Sequence, residues 1–466
     1  WVGAAAAAEK QNAARPNLLW IIAEDCCPDI GCYGTKEVKT PNLDALAGEG
    51  ALFRRAFTTA PVCSASRSAM MVGMYQHCVG ASQHRTANKK PLPEGVRTYL
   101  AHLRDAGYYT CTAAAAKTDL NYVVDEPLFD GKGWEGRKPG QPFVCQATIP
   151  TTHRAFKRDK ENPIDPASVV IPPYYPDHPV TRRDWADYLE SWQLVDRQVG
   201  ELLKKLKDDG LADNTVVVFI GDHGRCHVRG KQFLYDGGLH IPLLVRWPGK
   251  IKPGTERDDM VSSIDITATL VAAGAGKVPA HMQGRDLFAE DRQERECVFA
   301  HRDKMDDTHD AMRAVRTKDF KYILNLMPER AYCQLNEYKE RSYPVLALLN
   351  VMHMKGELNP VQDRFMADHK PPVELYDLRS DPFETVNLAG DPKYAEAEKQ
   401  LAALLTNWRQ ETGDQDPSDE FRRGGWSPKY PTHSLEQWEG ILAKWEKQLF
   451  QGRPKPEPNQ PKRKQK

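Results

Sequence analysis

Four apolar runs in this chain each end on residues able to do chemistry. Glu24 and Asp25 follow residues 17–23, Lys117 follows 108–113, His153 follows 142–147, and Asp222 and His223 follow 215–220. A polar residue after an apolar run is the ordinary composition of a loop. The conjunction says more, because ligand sites in open α/β sheets lie beyond the carboxyl ends of the strands. Four strand ends would then bring carboxylates, imidazoles and a lysine to one rim. Glu24, Asp25 and Asp222 cannot converge unpaired without heavy repulsion and desolvation. A hard divalent cation resolves that conflict, and oxygen-rich ligation favours Ca²⁺ or Mg²⁺ over zinc, with His223 able to add a nitrogen. Lys117, Lys231 and Arg67 beside such a metal would make a site for a compact anion. Surface ion pairs, common and weak, are the competing explanation for the same residues.

The elements that must hold these residues are legible from periodicity. Residues 17–23 (NLLWIIA) are a continuous apolar run, the pattern of a strand buried on both faces. Runs at 108–113, 142–147, 215–220 and 241–247 read as further strands. Thr40-Pro41 predicts a helix start, with Thr40 as N-cap and Leu43, Leu46 and Ala47 on one face. Val96, Tyr99, Leu100 and Leu103 repeat at helical spacing, and Gly107 sits where a left-handed cap belongs. Trp185 through Leu203 predicts a long amphipathic helix, and 264–273 another. This strand–helix alternation, the signature of an α/β layer structure, stops near residue 300. Beyond it, 312–315 and 320–326 read as a hairpin and 394–408 as a helix, while 328–372 carries no readable motif. The expected organisation is a leader remnant or flexible tail at 1–15, a catalytic domain at 16–308, a smaller α+β domain at 309–450 and a flexible tail at 451–466.

Composition narrows the function classes. Lys+Arg and Asp+Glu both number 64 in the 466 residues, a balance that argues against an electrostatically driven nucleic-acid binder. No stretch approaches the ~18–20 consecutive apolar residues of a membrane span. The ten cysteines form no C-x-x-C zinc pattern and no small-domain disulfide framework. Gly131–Gly136 formally spells G-x-G-x-x-G, but it follows no convincing strand and opens no helix, so it reads as a loop.

Cys63-Ser64-Ala65-Ser66-Arg67 decides among these readings. Here the chain resembles the formylglycine-dependent sulfatases, whose signature is Cys (or Ser)-x-Pro/Ala-x-Arg. The likeness extends to PNLLWIIAEDCCPDIGCYG, KTPNLDALAGEGALFRRAF, FIGDHG and GGLHIPLLVRWPG, and to the later ELYDLRSDPFETVNLAGDP and LTNWRQETGDQDP. QHCVGASQH and those late stretches look most like the sulfamidase (heparan N-sulfatase) branch. The resemblance implies an alkaline-phosphatase-like mixed sheet between helices, with a smaller C-terminal α+β domain. It also implies hydrolysis of a sulfate ester or N-sulfate on a carbohydrate, as in glycosaminoglycan degradation. A sulfated sugar would be the substrate, a formylglycine-generating maturation enzyme the partner, and an exported location, periplasmic or secreted, the setting.

Residue by residue, the resemblance implies that Cys63 is oxidised to formylglycine and that Glu24, Asp25, Asp222, His223 and residue 63 surround Ca²⁺. Arg67, one helical turn past Cys63, would orient the hydrated aldehyde. Lys117 and Lys231 would hold sulfate oxygens, and His153 would support the leaving group. Two positions depart from the family pattern. Glu24 stands where Asp is usual, and Lys117-Thr118-Asp119 stands where Lys-x-His is common, so Asp119 becomes a candidate base. His84 and Arg85 could contact substrate, and Arg302, Asp303, Asp306 and Asp307 could line the rim. Two readings compete: a phosphonate monoester or phosphodiester hydrolase of the same fold, and a non-catalytic binder of sulfated glycans. The binder is disfavoured because the nucleophile, metal and lysine positions are all filled.

Overall fold

The computed structural model describes residues 15–334, 336–425 and 433–451. The expected leader and tail, Arg15 and Gln451 apart, lie outside the described residues. In chain order the longer strands of the first region are Asn17–Ala23 (β1), Ala51–Phe57 (β2), Tyr109–Ala114 (β3), Phe143–Ile149 (β4), Thr215–Gly221 (β5), Leu243–Arg246 (β6) and Thr255–Ser262 (β7). They form one mixed sheet in the order β7-β2-β6-β5-β1-β4-β3, with the two-residue strand Gly131–Lys132 beyond β3 and His240–Ile241 paired to β2. At the centre β1 runs parallel to both β4 and β5, and every residue of the three is buried.

Alternation along β1 assigns its side chains to two cores. Leu19, Ile21 and Ala23 face one helical layer; Leu18, Trp20 and Ile22 face the other. The first layer is built from Pro41–Glu49 (α1) and the long Pro179–Asp208 (α4), whose Trp185, Tyr188, Leu189, Trp192 and Val195 cover the sheet. Cys63–Val72 (α2), Tyr99–Asp105 (α3) and Ser263–Ala275 (α5) form the second. Gly107 takes φ +91° after α3, and the Tyr108 amide returns to the Leu103 carbonyl at 3.0 Å, closing the helix as its sequence predicts.

Three local expectations differ from the structure. Thr40 does not cap α1; its hydroxyl accepts from the Gly31 amide at 2.9 Å. The Asn42 and Leu43 amides donate instead to the Asp196 carboxylate of α4, at 3.3 and 2.8 Å, so a neighbouring helix supplies the cap. The single strand expected at 241–247 is broken by Pro242, which has no N–H for a ladder, and β6 runs antiparallel to β5 and β2. Gly131–Lys132, expected as loop, pairs with β3. A Cβ at Gly131 or Gly136 would collide with the Tyr109 hydroxyl, so packing explains these glycines without a nucleotide.

A second, antiparallel sheet follows in the order Cys297–Arg302 (β8), Met312–Thr317 (β9), Phe320–Asn325 (β10) and Val373–Asp377 (β11). It begins at Cys297, upstream of residue 309. Helix Ala395–Thr412 (α8) packs Leu401, Leu405 and Trp408 on this sheet. The stretch 328–372 is substantially helical, with Glu337–Ser342 (α6) and Pro344–Lys355 (α7). Leu435–Phe450 (α9) packs on α7, where Leu348 and Leu449 meet Val180 of α4. One apolar cluster runs from Leu19 and Phe219 through Met312 to Tyr343 and Leu346, so the two sheets share a core. That sharing is what carries α6 to the site.

Candidate active site

The register between β1 and β5 places Ala23 opposite Gly221, so the residues following both strands leave the sheet side by side. The Asp222 amide donates to the Ala23 carbonyl at 3.0 Å and the Cys26 amide to the His223 carbonyl at 2.9 Å. Asp25 turns through the left-handed region (φ +50°), and its amide donates to Asp222 Oδ1 at 2.8 Å. Two strand ends thus fix Asp25, Asp222 and His223 through backbone bonds.

Cys63 is the first residue of α2, all ten residues of which are buried. Its Sγ lies 3.1 Å from His223 Nε2, 3.2 Å from Lys231 Nζ and 3.5 Å from Asp25 Oδ1. Lys231 spans both oxygens of Asp25 at 3.0 and 2.9 Å. One helical turn on, Arg67 Nε donates to Asp222 Oδ2 at 3.0 Å, and its second terminal nitrogen lies 3.5 Å from Glu24 Oε1. Lys117 Nζ donates to Glu24 Oε2 at 2.9 Å. His153 Nε2 stands 3.6 Å from Asp25 Oδ2.

Burial alone would raise the pKa of Asp25, but Lys231, His153 and His223 hold it well below the usual carboxylate range. Burial opposes the charged form of His223 too, yet Asp222, Cys63 and Asp25 push its pKa up to about 10. Lys231 is raised against its burial by Asp25 and Cys63, and Lys117 against its burial by Cys63 and Glu24. These carboxylates therefore favour the charged forms of His223, Lys231 and Lys117. One ligand atom each from Asp25, Cys63, Asp222 and His223 lies within 4.8 Å of the others. Two hard oxygens and a nitrogen converging in a buried, acidic pocket fit a divalent cation. Glu24 stands outside that foursome, its carboxylate directed at Lys117 and Arg67.

Comparison with known proteins bears on what this arrangement is. The family model "Sulfatase" matches residues 16–123 and 116–276. The chain belongs to the sulfatase family. A second model, "N-sulphoglucosamine sulphohydrolase, C-terminal", matches residues 221–341 of this sulfatase. An ulvan-active sulfatase of Formosa agariphila is 33% identical over 453 residues, covering 86% of this chain and 76% of that protein. Human N-sulphoglucosamine sulphohydrolase is 27% identical, covering 86% of this chain and 91% of that enzyme. Among solved structures, one in complex with its substrate D-glucosamine-2-N,6-O-disulfate matches with a TM-score of 0.62 at 17% identity, over 87% of this chain and all (100%) of that one. The phosphonate monoester hydrolase of Agrobacterium radiobacter matches with a TM-score of 0.65 at 19% identity, over 90% and 100%. These two likenesses establish the fold, an α/β architecture of alkaline-phosphatase type.

Around the centre of the sulfatase, Arg85 grips Asp119 with two nitrogens at 2.9 and 2.7 Å, while Lys117 stands 3.9 Å from that carboxylate. Asp119 is held anionic against its burial chiefly by Arg85, then Lys117. His84 is buried beside them; burial, then the Arg85 and Lys231 cations, push its pKa down to about 3, which leaves a neutral imidazole. Asp303 is drawn away to Arg313 at 2.9 Å, and Arg302 to Asp310 at 2.8 Å. Asp306 and Asp307 are half-buried in the loop between β8 and β9.

Sequence reasoning missed two groups at the site. Thr148 Oγ1 accepts from Arg67 at 3.4 Å; it is a small polar residue inside β4, with nothing local to distinguish it. Tyr338 of α6 sets its ring 5.6 Å from Lys231 Nζ and 6.0 Å from the His153 ring, and its buried hydroxyl has no hydrogen-bond partner among the described residues. It arrives from the stretch that carried no motif.

Proposed function

We propose that this sulfatase releases sulfate from a sulfated sugar, taking a sulfate ester or an N-sulfate, with Cys63 matured to formylglycine and calcium at Asp25, Asp222, His223 and residue 63. The observation that carries the reading is the placement of Cys63. A thiol at the first turn of a buried helix, touched by a lysine, an imidazole and a carboxylate, occupies the point where these elements converge. A calcium ion there would supply Lewis-acid polarisation and help to offset the two carboxylates. A hydrated formylglycine would supply one hydroxyl to attack sulfur and a second whose deprotonation expels sulfate as the aldehyde re-forms.

The chain's own residues do the rest. Lys231, 3.2 Å from the Cys63 sulfur, and Lys117, held by Glu24, present ammonium groups that bind sulfate oxygens. Arg67 keeps Asp222 oriented and carries charge between Asp222 and Glu24. His153, partly open to solvent, donates a proton to the departing sugar oxygen or nitrogen. Glu24 orients Lys117 at 2.9 Å and, as the family likeness implies, is a further candidate ligand of the same cation. Asp119, with both oxygens taken by Arg85, shapes the entrance and leaves proton removal to another group. A maturation enzyme and an exported location follow from the same family reading. Sulfate release from a panel of sulfated mono- and oligosaccharides, beside matched phosphorylated and phosphonate esters, tests the proposal. Turnover of the sulfated sugars is the expected result, and turnover of phosphorus esters alone would overturn it.

A further inference from the structure

Charge is balanced unevenly on the side of the site made by the second sheet. Asp310 of the loop before β9 is fully buried and serves two buried cations, Arg302 at 2.8 Å and Lys370 at 3.0 Å. Gln334 also donates to it, at 3.3 Å. Arg302 uses one terminal nitrogen on Asp310; its Nε and other terminal nitrogen have no hydrogen-bond partner among the described residues. Lys339 of α6 is 6% exposed, and no hydrogen bond or ion pair reaches its Nζ among the described residues. Its Nζ lies over the Phe233 ring at 4.6 Å and the Tyr343 ring at 6.0 Å, and Arg302 also approaches Phe233, at 5.4 Å. Burial, with Arg302 and Lys231 adding to it, pushes the Lys339 pKa down to about 7. A buried ammonium without an anion is costly, and a structure that retains one has a use for it or an occupant to match it.

Its location says which. Phe233 lies two residues beyond Lys231, and Tyr338, immediately before Lys339, packs on Lys231 and His153. Helix α6 therefore borders the sulfate-binding groups. We propose that Lys339, backed by Arg302, binds a second anionic group of the substrate, a carboxylate or a further sulfate on the sulfated sugar. This rests on the sugar-sulfatase reading above and narrows it to sugars bearing two negative groups. The cleaved sulfate is held by Lys117 and Lys231; the second anion meets Lys339, whose amine gains a charge-assisted hydrogen bond in place of two ring faces.

The test uses matched sulfated sugars: one with the cleavable sulfate alone, one with a carboxylate added, and one with a second sulfate added. For the wild-type enzyme, kcat/KM for at least one doubly anionic sugar is expected to exceed that of the singly anionic one by about tenfold or more, mostly through KM. Lys339→Met should bring that ratio close to one, and Lys339→Arg should keep most of it. The carboxylate and sulfate arms show which anion is read. A wild-type ratio of one or less, or a ratio unchanged in Lys339→Met, overturns the proposal. Calorimetric binding of the same sugars to the same proteins gives the ratio without turnover. Absence of sulfate release from any sugar would thus count against the hydrolase reading, while equal binding of all three would count against Lys339.

Discussion

The centre at Cys63 and the cluster around Asp310 are both buried and both rich in charge, but they are built differently. At the centre each carboxylate faces its own cation: Asp25 faces Lys231 at 2.9 Å, Asp222 faces Arg67 at 3.0 Å and Glu24 faces Lys117 at 2.9 Å. Around Asp310 a single carboxylate serves Arg302 and Lys370, and Lys339 has none among the described residues. The first arrangement holds itself together before any ligand arrives: a divalent ion would take carboxylate oxygens from these cations, and the lysines so released would be free to bind sulfate. The second keeps one buried amine unmatched among the described residues, on the helix that borders the site. Pre-organisation belongs to the reacting centre, and unmet charge belongs to the group that selects what enters.

Breaking the centre should have the largest effect. Asp222→Asn keeps an oxygen for the Asp25 and His223 amides but removes the charge that Arg67 and a metal require. Activity is expected to fall on the order of 10³-fold with little change in the unfolding midpoint. Exhaustive chelation of the wild type should mimic it, and full activity after chelation would contradict the metal. Next, Lys231→Met should lower kcat/KM by about 10²-fold, because the lysine meets both Asp25 and residue 63. Equal activity of that variant would place sulfate elsewhere.

In the cluster the expected effects are on stability and differ in sign. Asp310→Asn leaves Arg302 and Lys370 without their shared anion and should cost about 3 kcal/mol of unfolding free energy. Lys339→Met removes an unmet charge and should raise stability by about 1 kcal/mol. Denaturant midpoints measure both, and destabilisation by Lys339→Met would mean that the amine has a partner. The smallest effect concerns His77, whose pKa is pushed from 6.5 down to about 3 by burial and then by His301 and Arg313. Its folded pKa lies below its unfolded value, so the unfolded chain binds more protons between those pH values. The stability involved is present above about pH 6.5 and falls as pH drops towards about 3. His77→Phe should flatten that acid limb in unfolding curves collected across the window.

Much of the centre was legible because buried parallel strands are apolar runs and the first polar residues after them stand at the strand ends. Glu24, Asp25, Asp222 and His223 were found that way, and the five-residue signature located Cys63 and Arg67. The direction of the Glu24 side chain was not legible, since whether a carboxylate turns to a metal or to Lys117 depends on contacts across the sheet. Asp196 capping α1, and Pro242 dividing a strand, show the same dependence on tertiary neighbours. Tyr338 and Lys339 were invisible: a short helix far along the chain reaches the site only because the two sheets share one core.

Turnover depends on what residue 63 is in active protein. A bare thiol could attack sulfur, but the adduct would have no adjacent hydroxyl to expel sulfate, so turnover would stall. Mass spectrometry of the peptide spanning Cys63, across preparations made with and without a maturation enzyme, gives the direct measurement. Aldehyde content should rise and fall in proportion to specific activity, with Cys63→Ser protein folded and nearly inactive in a host that does not convert serine. Fully active protein carrying unmodified Cys63 would contradict the mechanism and leave only the fold and the family.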